Sequence, residues 1–110
     1  MSVNEPGLRI STVQRGGELF VRVAGELDAA SVRQFELALA RLSAIDSLVI
    51  DLSRITLLDS AGLRVIARTH ERLAERGASL VLASPSLEAM RVLGATGLSD
   101  VIQITFADRG

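Results

Sequence analysis

A serine beside a carboxylate is the feature of this sequence with the clearest chemical potential. Asp59 and Ser60 lie between an apolar run that ends at Leu58 and a stretch of helical periodicity that includes Gly62. A serine in such a place can be an activated nucleophile, a helix cap or a phosphate acceptor. Each of these chemistries makes a different demand on the rest of the chain, so they can be tested one by one.

The nucleophile hypothesis fails on the position of the histidine. Ser60, Ala61 and Gly62 resemble the nucleophile elbow of α/β-hydrolases, but Leu58 stands where that motif has its first glycine. A serine nucleophile also needs a base within hydrogen-bonding distance. His70 follows on the same predicted helix, roughly 15 Å along its axis. His70 lies on the apolar stripe of that helix, so we predict that it packs beside the core. Because Ser60 then lacks a base, we predict that the protein is not an enzyme.

Acidic residues elsewhere in the chain do not form a recognisable catalytic or metal-binding pattern. Asp51, near the end of a predicted central strand, resembles the phosphate acceptor of response-regulator receiver domains, which normally also have a lysine. This chain has no lysine, which excludes a P-loop as well. A cluster of Glu26, Asp28, Asp51 and Asp59 matches no known metal-ligand spacing, so we expect neither metal nor cofactor. We interpret Asp51 as a carboxylate that accepts hydrogen bonds from neighbouring backbone.

Helix capping and phosphorylation remain, and they do not exclude each other. On physical grounds alone, the simpler hypothesis is that Ser60 or Asp59 is the N-cap of the helix that follows. A phosphate on Ser60 would meet free backbone N–H groups and the positive end of the helix dipole, so the fold could carry it. The phosphate would add about −1.5 to −2 charges, and this would change a docking surface without unfolding the domain.

Composition restricts the class of protein that could use such a serine. The chain has 110 residues, of which 48% are hydrophobic and 23% charged, and it has no cysteine. These values predict one compact domain without disulfides. A net charge of −1, three Phe and no Trp or Tyr argue against nucleic-acid binding. Neither a secretory signal nor an uncharged run of membrane-spanning length is found, so we expect a cytoplasmic location without membrane insertion.

The elements that position the Asp-Ser pair follow from the apolar periodicity. Two short runs joined by Gly16-Gly17 predict a β-hairpin, and the later strands alternate with amphipathic helices. This alternation predicts an α/β fold with about five mostly parallel strands and three to four helices. The predicted strands span about 8–13, 19–24, 48–52, 80–83 and 101–104, and the predicted helices span about 29–42, 63–77 and 85–97.

Helix boundaries are predicted from local capping signals. Either Asp28 or Ser31 is suited to cap the first helix, and Ser31 followed by Gln34 fits a capping box. Gly77 is a natural end for the second helix. Ser84 and Pro85 are predicted to be the N-cap and the first-turn proline of the third helix. The apolar side chains of that helix that are predicted to face the core are Leu87, Met90 and Leu93.

Several short motifs in order resemble the STAS domain of bacterial anti-sigma factor antagonists. They are 25–28 (GELD), 49–53 (VIDLS), 58–63 (LDSAGL), 84–85 (SP) and 96–98 (TGL). The resemblance runs from about residue 8 to residue 106, and it implies that residues 1–110 form a single STAS domain with this core.

The resemblance implies a role for Ser60 as a phosphate acceptor. The typical family motif is Asp-Ser-Ser-Gly-Leu, in which the first serine is phosphorylated. Ser60 holds this position, and Ala61 replaces the second serine and so removes a possible alternative acceptor. Ser53 and Thr56 are interpreted as residues at a strand end rather than as rival acceptors.

Partner switching is the function that the resemblance implies. The unphosphorylated antagonist would bind an anti-sigma factor that is also a serine-protein kinase, phosphorylation of Ser60 would release it, and a serine phosphatase would reset it. Arg64, four residues after Ser60, could approach the phosphate. An alternative is a non-switching STAS subunit of a lipid or anion transport system. The residues expected to contact the partner are Glu26, Asp28, Asp59, Ser60, Ala61, Gly62 and Arg64.

Overall fold

The fold is a mixed sheet with helices packed over one of its faces. The structure is a computed structural model, and it describes residues 2–5, 7–40 and 44–106. In that part of the chain, six strands lie side by side in chain order. The strands are β1 (Ser2–Glu5), β2 (Leu8–Arg15), β3 (Glu18–Leu27), β4 (Ser47–Leu58), β5 (Ser79–Ala83) and β6 (Gln103–Thr105); the helices are α1 (Val32–Ala38), α2 (Ser60–Glu75) and α3 (Leu87–Thr96).

The sheet combines two kinds of strand pairing. β1, β2 and β3 pair antiparallel, and β3 to β6 pair parallel. Each parallel pair is joined by a crossover that contains an α-helix, as is usual for parallel pairing. The predicted α/β class, the hairpin and the mostly parallel order are confirmed. β1 is an additional strand that was not predicted, because a four-residue edge strand carries too little pattern to be recognised.

The core lies between the helices and one face of the sheet. Side chains alternate between the two faces of a strand, so every second residue from Leu19 to Val23 in β3 and from Leu48 to Leu52 in β4 points towards the helices. Val21 and Ile50, which are register partners, are almost fully buried, and so are Phe35 of α1 and Ile66 of α2. The opposite face of the sheet is open to solvent in its central strands.

The third helix begins later than predicted. Ser86, rather than Ser84, is its N-cap, because the Ser86 hydroxyl accepts a hydrogen bond from the Ala89 N–H at 3.1 Å. Ser84 instead has a φ of 48°, outside any capping conformation, and Pro85 is buried before the helix begins.

The shift in the start of α3 rotates its buried face. Leu87 becomes the first helical residue and is 91% exposed, so the prediction that it faces the core was wrong. Ala89 and Leu93 fill the core in its place, and Met90 packs against it in part. Gly97 ends the helix with a φ of 83°, a left-handed conformation that glycine adopts without strain, as predicted.

Two predicted helix boundaries also differ in α1. Its structured range, Val32–Ala38, is shorter than the predicted one, and residues 41–43 lie outside the described ranges. The proposed capping box was wrong, because Ser31 makes no side-chain hydrogen bond to the first turn.

Across the described part of the chain, every helix is too short or too polar to span a bilayer.

Candidate functional site

The cap of α2 is provided by the carboxylate and not by the serine. Asp59 has extended backbone angles, φ −112° and ψ −174°, and it precedes the first helical residue. Its Oδ1 accepts hydrogen bonds from the N–H groups of Ala61 at 2.9 Å and Gly62 at 3.3 Å. These two donors have no partner inside the helix, so Asp59 satisfies them.

Ser60 is left free by this arrangement. It is the first residue of α2, it is exposed, and its hydroxyl makes no hydrogen bond within the residues that the structure describes. A serine that capped the helix would have to give up a backbone hydrogen bond before it could accept a phosphoryl group. Ser60 has no such bond to lose.

Asp59 also joins the serine loop to the loop after β3. Its Oδ2 accepts a hydrogen bond from the Ala29 N–H at 3.2 Å, and its own N–H donates to the Leu27 carbonyl at 3.2 Å. The two loops meet because β3 and β4 are parallel and end side by side, with Leu27 as the register partner of Leu58. The loop that carries Asp28 is therefore placed beside the serine loop, and Glu26, the register partner of Leu57, precedes it near the end of β3.

The loop after β3 is held by Asp28 and Ser31. Asp28 Oδ1 accepts hydrogen bonds from the N–H groups of Ala30 and Ser31, both at 3.1 Å. The buried Ser31 hydroxyl donates to the Glu26 carbonyl at 2.8 Å. These contacts fix the backbone of the loop and leave the Glu26 side chain exposed.

Gly62 allows α2 to approach the ends of β3 and β4. A Cβ atom at this position would lie 2.8 Å from Leu27 Cγ and 2.9 Å from Leu58 Cδ1. Both distances are shorter than a normal carbon–carbon contact. Gly62 is buried, so its place in the motif serves the packing of α2 beside the serine loop.

Arg64 is the cation nearest in sequence to Ser60 on α2. The two residues are four positions apart in one helix, so their side chains share a face. Arg64 is exposed and forms no ion pair with any residue that the structure describes. Ala61, between Ser60 and Gly62, is half-buried.

The residues considered for other chemistries lie away from Ser60. His70 is half-buried, ten positions further along the same unbroken helix. Asp51 lies in the middle of β4 and accepts a hydrogen bond from the Ser53 N–H at 2.8 Å, as its interpretation as a backbone acceptor predicts. Its other carboxylate oxygen is 3.4 Å from Arg22 Nε.

The charge state of Asp51 is set by these contacts. Its partial burial alone would raise the pKa of the carboxyl, but hydrogen bonds from Ser53 and the nearby Arg22 guanidinium outweigh this effect. The pKa of Asp51 therefore lies below its ordinary value of 3.8. No group of three or more acidic or histidine side chains in the described ranges is arranged to hold a metal ion.

The family follows from a match over nearly the whole chain. A model of the STAS domain family matches residues 9–109. The chain belongs to the STAS family. Within this STAS domain, the motifs at 25–28 and 58–63 lie at the ends of β3 and β4.

Two named relatives are similar along most of this STAS domain. The anti-sigma-B factor antagonist of Bacillus subtilis is 31% identical over 106 residues, which cover 94% of this chain and 95% of that protein. The anti-sigma-B factor antagonist of Listeria monocytogenes is 37% identical over 84 residues, which cover 74% of each chain.

Solved structures of the anti-sigma factor antagonist SpoIIAA have the same fold. The unphosphorylated form superposes with a TM-score of 0.79 at 19% identity, covering 91% of this STAS domain and 89% of SpoIIAA. The phosphorylated form from Bacillus superposes with a TM-score of 0.74 at 19% identity, covering 91% and 92%. SpoIIAA has this fold in both its unphosphorylated and its phosphorylated form.

Two features of the site were not foreseen from the sequence. The link from Asp59 to Ala29 uses a backbone N–H, so no residue type signals it. The buried hydroxyl of Ser31 was assigned to a capping box, and only the folded loop shows that it bonds the Glu26 carbonyl. The missing information is the register of β3 against β4 in the first case and the conformation of the loop after β3 in the second.

Proposed function

We propose that this STAS domain is an anti-sigma factor antagonist that acts in a partner-switching cycle in the cytoplasm. In its unphosphorylated form it binds an anti-sigma factor, which is also the serine-protein kinase that phosphorylates Ser60. Phosphorylation weakens the complex, and a serine phosphatase restores the binding form. The names of the two relatives, both anti-sigma-B factor antagonists, support an anti-sigma factor as the partner.

The observation that carries the proposal is the division between Asp59 and Ser60. Because Asp59 caps α2, the Ser60 hydroxyl is exposed and unbonded at the start of a helix. A kinase can reach this hydroxyl without breaking the cap. A phosphate placed here meets the positive end of the helix dipole, which supports the stability of the modified fold.

The switch follows from the charge that the phosphate adds beside Asp59. In this proposal the partner contacts both loops, through the exposed side chains of Glu26, Ser60 and Arg64 and the residues between and beside them, Asp28, Asp59, Ala61 and Gly62. A phosphate of about −2 charges makes this acidic surface more negative, changes its solvation and engages Arg64. A tenfold loss of affinity needs only about 1.4 kcal/mol, which is within reach of a few displaced contacts.

Phosphorylation of Ser60 can be tested directly. The domain is incubated with its cognate kinase and Mg-ATP, and peptide mass spectrometry locates the phosphate. We expect one phosphate, on Ser60, and none in the Ser60→Ala variant. Ser53→Ala is the matched control, because Ser53 is also exposed and lies on β4, seven positions before Ser60. Phosphate on Ser53, or none while the complex still forms, would contradict the Ser60 assignment.

Binding measurements separate switching from permanent contact. We expect Ser60→Ala to bind the anti-sigma factor as tightly as the unphosphorylated protein, and Ser60→Asp to bind at least roughly tenfold more weakly. Isothermal titration calorimetry gives both dissociation constants. Equal affinity of the two variants would indicate a STAS module without a switch, such as a transporter subunit.

A further inference from the structure

The open face of the sheet carries two rows of side chains that run across the central strands. Strand register places the members of each row next to one another. The first row is apolar in its first four positions, and the second has an arginine beside an aspartate. The apolar row is Val13, Phe20, Val49, Val81 and Gln103, and the polar row is Ser11, Arg22, Asp51, Ala83 and Thr105.

This face leaves apolar surface in water. Val13 is 52% exposed and Phe20 38% exposed, and Val49 and Val81 are half-buried. A concavity of about 360 Å³ opens on the face and is lined by residues of both rows. Contiguous exposed apolar patches of this kind are typical of interaction surfaces.

The order of residues in the rows is complementary to itself. A two-fold axis parallel to the strands, passing between β3 and β4, would bring each residue of β3 opposite its neighbour in β4 of a second copy. Phe20 would then face Val49, and Arg22 would face Asp51. The outer strands follow the same symmetry, because Val13 of β2 would face Val81 of β5.

The Arg22–Asp51 pair has capacity for a second partner. Within one chain, Asp51 accepts from the Ser53 N–H at 2.8 Å and from Arg22 Nε at 3.4 Å, and the Arg22 side chain remains 59% exposed. The terminal nitrogens of that guanidinium make no hydrogen bond to any residue in the described ranges. They are free to donate to a carboxylate across an interface, where a charged pair also fixes the register.

We propose that the open sheet face packs against the same face of a second copy, forming a two-fold symmetric dimer. Two sheets packed face to face in this way lie about 10 Å apart, with their strands nearly aligned. The interface is isologous, so each copy contributes both rows. Ser60 lies at the strand ends, on the side of the helices, so the dimer leaves the proposed phosphorylation site accessible. The inference does not depend on the proposed function.

Sedimentation velocity over a micromolar-to-millimolar concentration series tests the dimer. We expect the mass of the unmodified chain to approach that of two copies as the concentration rises. Phe20→Glu should keep the chain monomeric at every concentration, because it places a carboxylate in the apolar row. Leu37→Glu is the matched control: Leu37 is 67% exposed on α1, away from this face, and its substitution should leave the dimer intact.

A mixture of two charge variants tests whether Arg22 of one copy faces Asp51 of the other. Both variants lose the ion pair within the chain, so recovery of the dimer on mixing reports only the contact between copies. Arg22→Asp and Asp51→Arg each place like charges opposite each other in a dimer, so each alone should be monomeric. Mixed in equal amounts they should form a heterodimer, in which every facing pair is again of opposite charge. Circular dichroism checks that each variant is folded.

Three results would overturn the inference. The first is an unmodified chain that stays monomeric to millimolar concentration. The second is a dimer that persists in Phe20→Glu and in both charge variants. The third is a monomeric chain whose binding to the anti-sigma factor is abolished by Phe20→Glu but not by Leu37→Glu, because the face would then dock a different protein.

Discussion

Asp59 uses both oxygens of its carboxylate, one for the first turn of α2 and the other for the loop after β3. Loss of this side chain would therefore affect two backbone segments at once. Ser60, its neighbour, takes no part in either contact. The structural task of the motif and its proposed regulatory task thus fall to adjacent residues.

A comparison of Asp59→Ala with Ser60→Ala tests this assignment. We expect Asp59→Ala to lower the free energy of unfolding by about 1–2 kcal/mol, because N–H groups at the helix start lose their acceptor. Ser60→Ala should change it by less than about 0.5 kcal/mol, as an exposed residue without contacts does. Urea denaturation followed by circular dichroism measures both. A larger loss for Ser60→Ala would mean that the serine is the cap.

The sequence could not decide between the two residues as the cap. Aspartate and serine are equally good N-caps, and a shift of the helix start by one position exchanges their roles. The shift depends on where β4 ends, and that is determined by its pairing with β3. The place of Asp59 and Ser60 between a strand and a helix was predictable from the sequence. Which of the two residues caps the helix was not.

Among the elements, α2 depends on close contact at its first turn. Gly62→Ala would place a methyl group against Leu27 and Leu58, both of which are buried. We expect a loss of about 1–3 kcal/mol from overpacking, which exceeds the gain of about 1 kcal/mol in helix propensity. Thermal and urea unfolding provide the measurement.

Gly94→Ala in α3 is the matched control for this substitution. Nothing lies within 4 Å of a Cβ atom at Gly94, so only the propensity gain should remain. We expect stabilisation by about 0.5–1 kcal/mol. If both alanine variants changed stability by the same amount, the tight approach at Gly62 would be refuted.

Element types were predictable from periodicity, whereas their ends were not. The start of α3 was misplaced because Ser84 and Ser86 both flank Pro85, and local capping rules accept either serine. That error of two residues, about half a helical turn, reversed the predicted orientation of Leu87. β4 was predicted to end at residue 52 because Ser53 and Arg54 interrupt the apolar run, although their backbones continue the strand to Leu58.

At the scale of the whole molecule, acid should reveal the contribution of Asp51 to stability. Its folded-state pKa is below the ordinary value, so its contacts stabilise the fold above about pH 4 and this contribution is lost as the pH falls through the folded pKa. We expect Asp51→Asn to be less stable than the unmodified chain at pH 7 by about 0.5 kcal/mol or less, since the pair is largely exposed. At pH 3 the difference should shrink.

Urea denaturation at both pH values, at one fixed protein concentration, measures this difference. Asp100→Asn, at an exposed aspartate without an ion pair in the described ranges, is the control. A stability difference for Asp51→Asn that stays the same from pH 7 to pH 3 would contradict the prediction.

The overall architecture was the most predictable level of description. Leu48 to Leu52 and Leu80 to Leu82 are short apolar runs between amphipathic helices, and this alternation leaves few topologies other than a parallel sheet. The open face could not be recognised in the same way. Its residues, such as Phe20 and Val49, look like core residues in a sequence, and only the absence of a helix above them distinguishes the two faces.

The register of β3 against β4 has a consequence for comparing this domain with others. From the Arg22–Asp51 pair to the Leu27–Leu58 pair, β3 advances by five residues and β4 by seven, because two bulges add residues to β4. These extra residues determine how far Asp59 extends beyond the end of β3, and therefore whether it reaches the Ala29 N–H. A relative that kept an aspartate and a serine but lacked one bulge would present them one position out of phase. Whether a relative's Asp-Ser motif is equivalent to Asp59 and Ser60 should therefore be judged by the number of residues in its β4 strand, as well as by residue identity.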